Sequence, residues 1–132
     1  IITGLVGSEM CIRDSYMQVL SEEFTNDFTG KIINIHHSFL PSFKGARPYH
    51  QAFERGVKVI GATAHYVTKD LDEGPIIEQD TQEVNHEMMP NDLVLMGRDI
   101  EARVLYRAIK AHSERRVFLN DNRTIVFRGQ RI

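Results

Sequence analysis

Apolar and polar positions recur with different periods along the chain, and the periods predict its elements. Tyr16 to Phe28 carries apolar residues at Met17, Val19, Leu20, Phe24 and Phe28, a spacing that suits a short amphipathic helix, with Gly30 as its stop. "KIINIHH" follows, a short and continuous β-branched run of the kind expected for a strand covered on both faces in a parallel sheet. Leu40 to Arg47 contains Pro41 and Gly45 among polar residues and predicts a loop. Pro48 opens and Gly56 closes a second helix over "PYHQAFERG". Val57 to about Val67 is strand-like, "TKDLDEGP" is a turn by composition, and "PIIEQDTQEV" is a further, partly alternating strand. That alternation predicts an antiparallel pair with one wet face. The longest helix carries Leu93, Met96, Ile100, Val104 and Ala108 at spacings of three and four, with Asn91 or Asp92 as its cap. "RVFLNDNRTIVF" closes the chain as a hairpin turning at Asn120 to Asn122.

The order helix, strand, helix, strand, strand, helix, hairpin predicts an α/β fold with parallel strands and an antiparallel extension. A doubly wound sheet ordinarily begins with a strand. A start inside a helix therefore predicts that residues 16–132 are the back part of a larger domain. Residues 1–15, "IITGLVGSEMCIRDS", have neither the basic start nor the small-residue cleavage site of a signal peptide. They resemble the translation of a DNA-sequencing adapter and are set aside as non-native. The net charge of −2 over 132 residues offers no basic field for nucleic acid. No apolar run approaches the roughly 20 residues of a membrane helix. Cys11 is the single cysteine, which excludes an internal disulfide framework and fits a cytoplasmic setting.

Two stretches carry candidate chemistry. In a strand alternate side chains share a face, so Asn34 and His36 point one way while Ile35 and His37 point the other. An amide N–H donor beside an imidazole can stabilise negative charge developing on a carbonyl oxygen and move a proton near neutral pH. The end of a strand in an open α/β sheet is also where ligands bind. Taken alone, the pair could equally end a strand and cap the next turn. "HYVTKDLDEGP" supplies His65, Asp70, Asp72 and Glu73 around Gly74. Turns collect aspartates for their own backbone bonds, yet a turn carboxylate facing a histidine could fix its proton or hold a water. His36, His37, His50 and His65 lack zinc-site spacings, and no phosphate loop or nucleophile elbow is present.

Together these stretches are more specific than either alone. Asn34-x-His36, "SFLP", "GARP" and His65 with Asp72 before Gly74–Pro75 resemble the folate-dependent formyltransferase fold family, and the likeness extends over residues 16–132. His37, where relatives acting on a purine precursor usually have proline, resembles the formyltetrahydrofolate deformylase branch. The resemblance implies the C-terminal part of a formyltransferase-type, Rossmann-like sheet and the hydrolysis of 10-formyltetrahydrofolate to tetrahydrofolate and formate. It implies catalytic roles for Asn34, His36 and Asp72, and a substrate pocket formed by His65, Lys69, Asp70 and Leu71. It implies no metal and no cofactor beyond the folate substrate, no nucleic acid or membrane partner, and a homo-oligomeric full-length protein. Formyl transfer to an amine acceptor and a non-catalytic folate-binding module are the competing readings. Relatives carry an N-terminal ACT domain and earlier strands, so the 132-residue chain alone is expected to be a truncated fragment, poorly stable and inactive.

Overall fold

The computed structural model describes residues 30–37, 47–69 and 73–129, and the backbone of 2–6 and 10–14. The helix expected over Tyr16 to Phe28 lies outside the described residues. The strands are β1 (Ile2–Val6), β2 (Met10–Asp14), β3 (Ile33–His36), β4 (Val59–Tyr66), β5 (Ile76–Glu83), β6 (Val117–Asn120) and β7 (Arg123–Val126). Helix α1 spans Pro48–Arg55 and helix α2 spans Pro90–Ser113. Within residues 1–15, set aside on sequence grounds, β1 and β2 pair antiparallel, and β1 lies beside β3 without a described ladder between them.

The sheet that matters for function has the order β3-β4-β5. Both of its pairings are antiparallel, with Asn34 opposite His65 and Thr63 opposite Gln79. The antiparallel β4–β5 pair is as expected. A parallel neighbour for β3 is not among the described pairings. Its β-branched run marks burial on both faces, and burial alone does not set strand direction.

The two faces of this sheet differ in chemistry. Ile33 and Ile35 of β3 and Ile60, Ala62, Ala64 and Tyr66 of β4 pack against the apolar stripe of α2, which buries Leu93, Ile100, Val104 and Ala108. Asn34 and His36 stand on the other face with Thr63 and His65. Small alanines at the centre of β4 let α2 approach the sheet closely. Asp80 of β5 ties to the exposed side of α2 through Arg103 at 2.9 Å and Arg107 at 3.4 Å.

Helix ends follow local chemistry. Pro48 begins α1, and Gly56 ends it in the left-handed region at φ 71°. The cap of helix α2 lies two positions before Asn91 and three before Asp92, the candidates expected. Met89 is the N-cap, Pro90 follows, and the Asp92 carboxylate accepts the Met89 backbone N–H at 2.8 Å. Asp92 therefore works from the third helical position, a reach-back bond that satisfies one orphan donor.

Candidate active site

Strand β3 ends its ladder at His36, opposite Thr63 of β4. Residues directly opposite in an antiparallel pair project to the same side. Asn34, His36, Thr63 and His65 therefore form one polar patch on a sheet whose other face is apolar. Thr63 and His65 are buried and Asn34 and His36 half-buried. The shared face of Asn34 and His36 was readable from strand period. Their register with His65 was not, because it depends on how two distant segments pair.

His65 has a defined orientation. Its Nδ1 lies 2.9 Å from the Tyr66 backbone oxygen. A carbonyl only accepts, so Nδ1–H donates, and in the neutral ring the lone pair sits on Nε2. The Asn34 Oδ1 atom is buried and has no hydrogen-bond partner among the described residues. Such an atom carries an uncompensated desolvation cost of about 1–3 kcal/mol. The missing partner of this acceptor is a donor, from a water or a bound molecule, and the amide N–H of the same side chain is the group that could meet a carbonyl oxygen.

The turn after β4 is anchored beside this patch. Tyr66 N–H donates to Pro75 O at 2.9 Å and Val67 N–H to Ile32 O at 2.9 Å. Gly74 is buried against the same corner, and a Cβ there would collide with the Tyr66 carbonyl and come within 3.1 Å of His65 Nδ1. Lys69 is exposed on the ascending side of the turn. Asp70, Leu71 and Asp72 lie outside the described residues, so the two roots of the turn are placed and the expected carboxylate is not.

Sequence reasoning missed two further groups. Gln79 of β5 donates from Nε2 to Thr63 Oγ1 at 2.9 Å, which extends the polar patch across all three strands. Behind β3, a cavity of ≈ 280 Å³ is lined by Ile35, His37, Tyr49, Arg98 and Glu101 among others. Tyr49 O–H donates to Glu101 Oε1 at 2.6 Å, and burial followed by the Glu101 charge pushes the phenol's pKa up, so it stays a donor. A larger hollow of ≈ 600 Å³ between the end of α2 and the β6–β7 hairpin has none of Asn34, His36 and His65 in its lining. No three His, Cys, Asp or Glu side chains converge as metal donors among the described residues.

The sequence profile described as "Formyl transferase" matches residues 5–109. The chain belongs to the formyl transferase family. Within this family it is similar to the formyltetrahydrofolate deformylase of Corynebacterium sp. (strain P-1), at 61% identity over 122 residues, which is 92% of this chain and 43% of that protein. Its fold is similar to a solved formyltetrahydrofolate deformylase from Burkholderia mallei ATCC 23344, with a TM-score of 0.81 and 63% identity over 86% of this chain and 40% of that one. A phosphoribosylglycinamide formyltransferase from Anaplasma phagocytophilum superposes with a TM-score of 0.78 at 35% identity, covering 89% of this chain and 58% of that one. Fold is nearly equal in the two comparisons, and identity is not. The chain spans about two fifths of the length of the deformylases it matches. As a formyl transferase family member it brings a strand-borne Asn–His pair and a facing His to one sheet face, and no helix among the described residues is long and apolar enough to cross a membrane.

Proposed function

We propose that the protein to which this chain belongs hydrolyses 10-formyltetrahydrofolate to tetrahydrofolate and formate. The observation that carries this reading is the gap in identity, 61% and 63% to proteins named deformylases against 35% to an amine-directed formyltransferase. The chemistry of the polar face supports it. Water adds to the formyl carbon, the carbonyl π electrons move to oxygen, and a tetrahedral oxyanion forms. The Asn34 amide N–H donates to that oxygen, where a donor is worth most. His36 shares this stabilisation and assists proton transfer to the departing folate nitrogen as its bond to the formyl carbon breaks. In this reading Asp72 orients the attacking water, and Lys69, Asp70 and Leu71 with His65 form the wall that holds the folate. Residues 16–132 supply part of the catalytic domain. The reaction needs no metal and no cofactor beyond the folate, and the full-length protein works in the cytoplasm as a homo-oligomer.

The direct test is a chimera in which this chain replaces the 122 matching residues of the Corynebacterium relative. Supplied with 10-formyltetrahydrofolate and no amine, it is expected to release formate. Asn34→Ala and Asp72→Ala are each expected to lower kcat by about 100-fold or more with folate affinity retained. Formate release that requires an amine, or a formyl group recovered on that amine, would overturn the hydrolytic reading in favour of transfer. Unchanged turnover in both variants would take the chemistry away from Asn34 and Asp72, and folate binding with no formate release by the chimera would leave only a folate-binding module.

A further inference from the structure

The hydrolytic scheme gives no work to His37, although it adjoins His36. Its position shows why it is not a second proton carrier. It lies one residue beyond the β3–β4 ladder and lines the cavity behind β3, away from the polar face. Its ring centroid is 5.4 Å from that of His36, with 35° between the planes, and 6.0 Å from that of Tyr49, with 50° between the planes. Both distances fall within the roughly 4.5–7 Å over which aromatic rings attract. Three rings therefore run in series from the polar face to α1. The last ring is fixed twice, by the 2.6 Å bond from Tyr49 O–H to Glu101 and by the missing side chain of Gly97. A Cβ on Gly97 would come within 2.0 Å of the Tyr49 ring at its hydroxyl end, so this glycine in mid-helix makes room for Tyr49 and is not required by backbone conformation. His36 is the last residue of its ladder, so its ring stands where β3 leaves the sheet.

We propose that His37 is a positioning residue, which sets the His36 ring by stacking, and that Tyr49, clamped to Glu101 over Gly97, holds His37 in place. The role requires a planar ring at position 37 and no proton on it. The proposal rests on His36 acting in the hydrolysis described above, and its test separates the two. In the same chimera, His37→Phe keeps the ring and is expected to hold kcat within about threefold of the parent. His37→Ala is expected to lower kcat by about tenfold or more with KM little changed, the cost of a misplaced reacting group. Gly97→Ala, which displaces Tyr49 without touching the polar face, should match His37→Ala, and Tyr49→Phe should fall between. A loss in His37→Phe as deep as in His37→Ala, or full kcat in His37→Ala, overturns the proposal. Asn34→Ala is the control for the polar face: if it keeps full turnover, the chemistry does not run on the Asn34–His36 face and that part of the functional reading fails. The stack is then read without turnover from the His36 ring-proton resonances of the chimera. They are expected to move in His37→Ala and Gly97→Ala, and unmoved resonances overturn the positioning role.

Discussion

At the scale of single residues, the polar face combines stability cost with chemical use. The buried Asn34 Oδ1 has no hydrogen-bond partner among the described residues, so this amide costs the fold stability. Asn34→Ala is therefore expected to leave the urea midpoint unchanged or higher, and a loss above about 1 kcal/mol would show that the amide holds the sheet together. Gly74 makes the opposite case. Its added Cβ would meet the rigid Tyr66 carbonyl, whereas one on Gly56 meets nothing within 4 Å. Gly74→Ala should cost at least about 2 kcal/mol by overpacking. Gly56→Ala, strained only by its left-handed backbone at φ 71°, should cost about 1 kcal/mol. Equal shifts in the two urea midpoints would contradict this. The sequence marks both glycines as punctuation, but only three-dimensional contact separates the one that turns the chain from the one that makes room.

At the scale of elements, legibility followed the range of the forces involved. The α2 stripe was readable because Leu93, Ile100, Val104 and Ala108 repeat with the helix, and all four are buried. The α2 start was displaced because a carboxylate reaches a backbone N–H equally well from the cap or from the third helical position, and Pro90 fixes which applies. The Asp92–Met89 bond makes this testable. Asp92→Ala should destabilise the chain by about 1 kcal/mol, and Asn91→Ala by much less, in paired urea titrations. The reverse order would restore Asn91 as the cap. Strand existence was equally readable for β4 and β5, whereas the Asn34–His65 register, and with it half of the candidate site, depends on contacts between segments some thirty residues apart.

At the scale of the whole molecule, the fold class was legible because alternation of helical and strand periods is a property of the full chain, while the placement of Asp72 depends on residues outside those described. A part-buried polar contact joins the sheet to α2. Tyr66, at the end of β4, lies 2.8 Å from His112 Nδ1 near the end of α2, with the rings edge to face. Burial lowers the His112 pKa from its ordinary value and pushes that of Tyr66 up to about 12. Both groups are thus held neutral in the fold, and the signs follow. As pH falls below about 6.5, the unfolded histidine takes up a proton that folded His112 resists, so the unfolded state binds more protons and stability falls with pH. As pH rises above about 10, the unfolded tyrosine releases a proton that folded Tyr66 retains, and stability falls again until about pH 12. Other histidines and carboxylates also titrate, so the informative quantity is a difference. The unfolding free energy of the natural chain minus that of His112→Phe should shrink between about pH 7.5 and about pH 5.5, because only the natural chain loses the contribution of this histidine. The corresponding difference for Tyr66→Phe should stay level below about pH 10 and shrink above it. A His112 difference that stays constant or grows on acidification would mean that the imidazolium is tolerated at this contact, and that β4 and α2 are held by the apolar stripe alone.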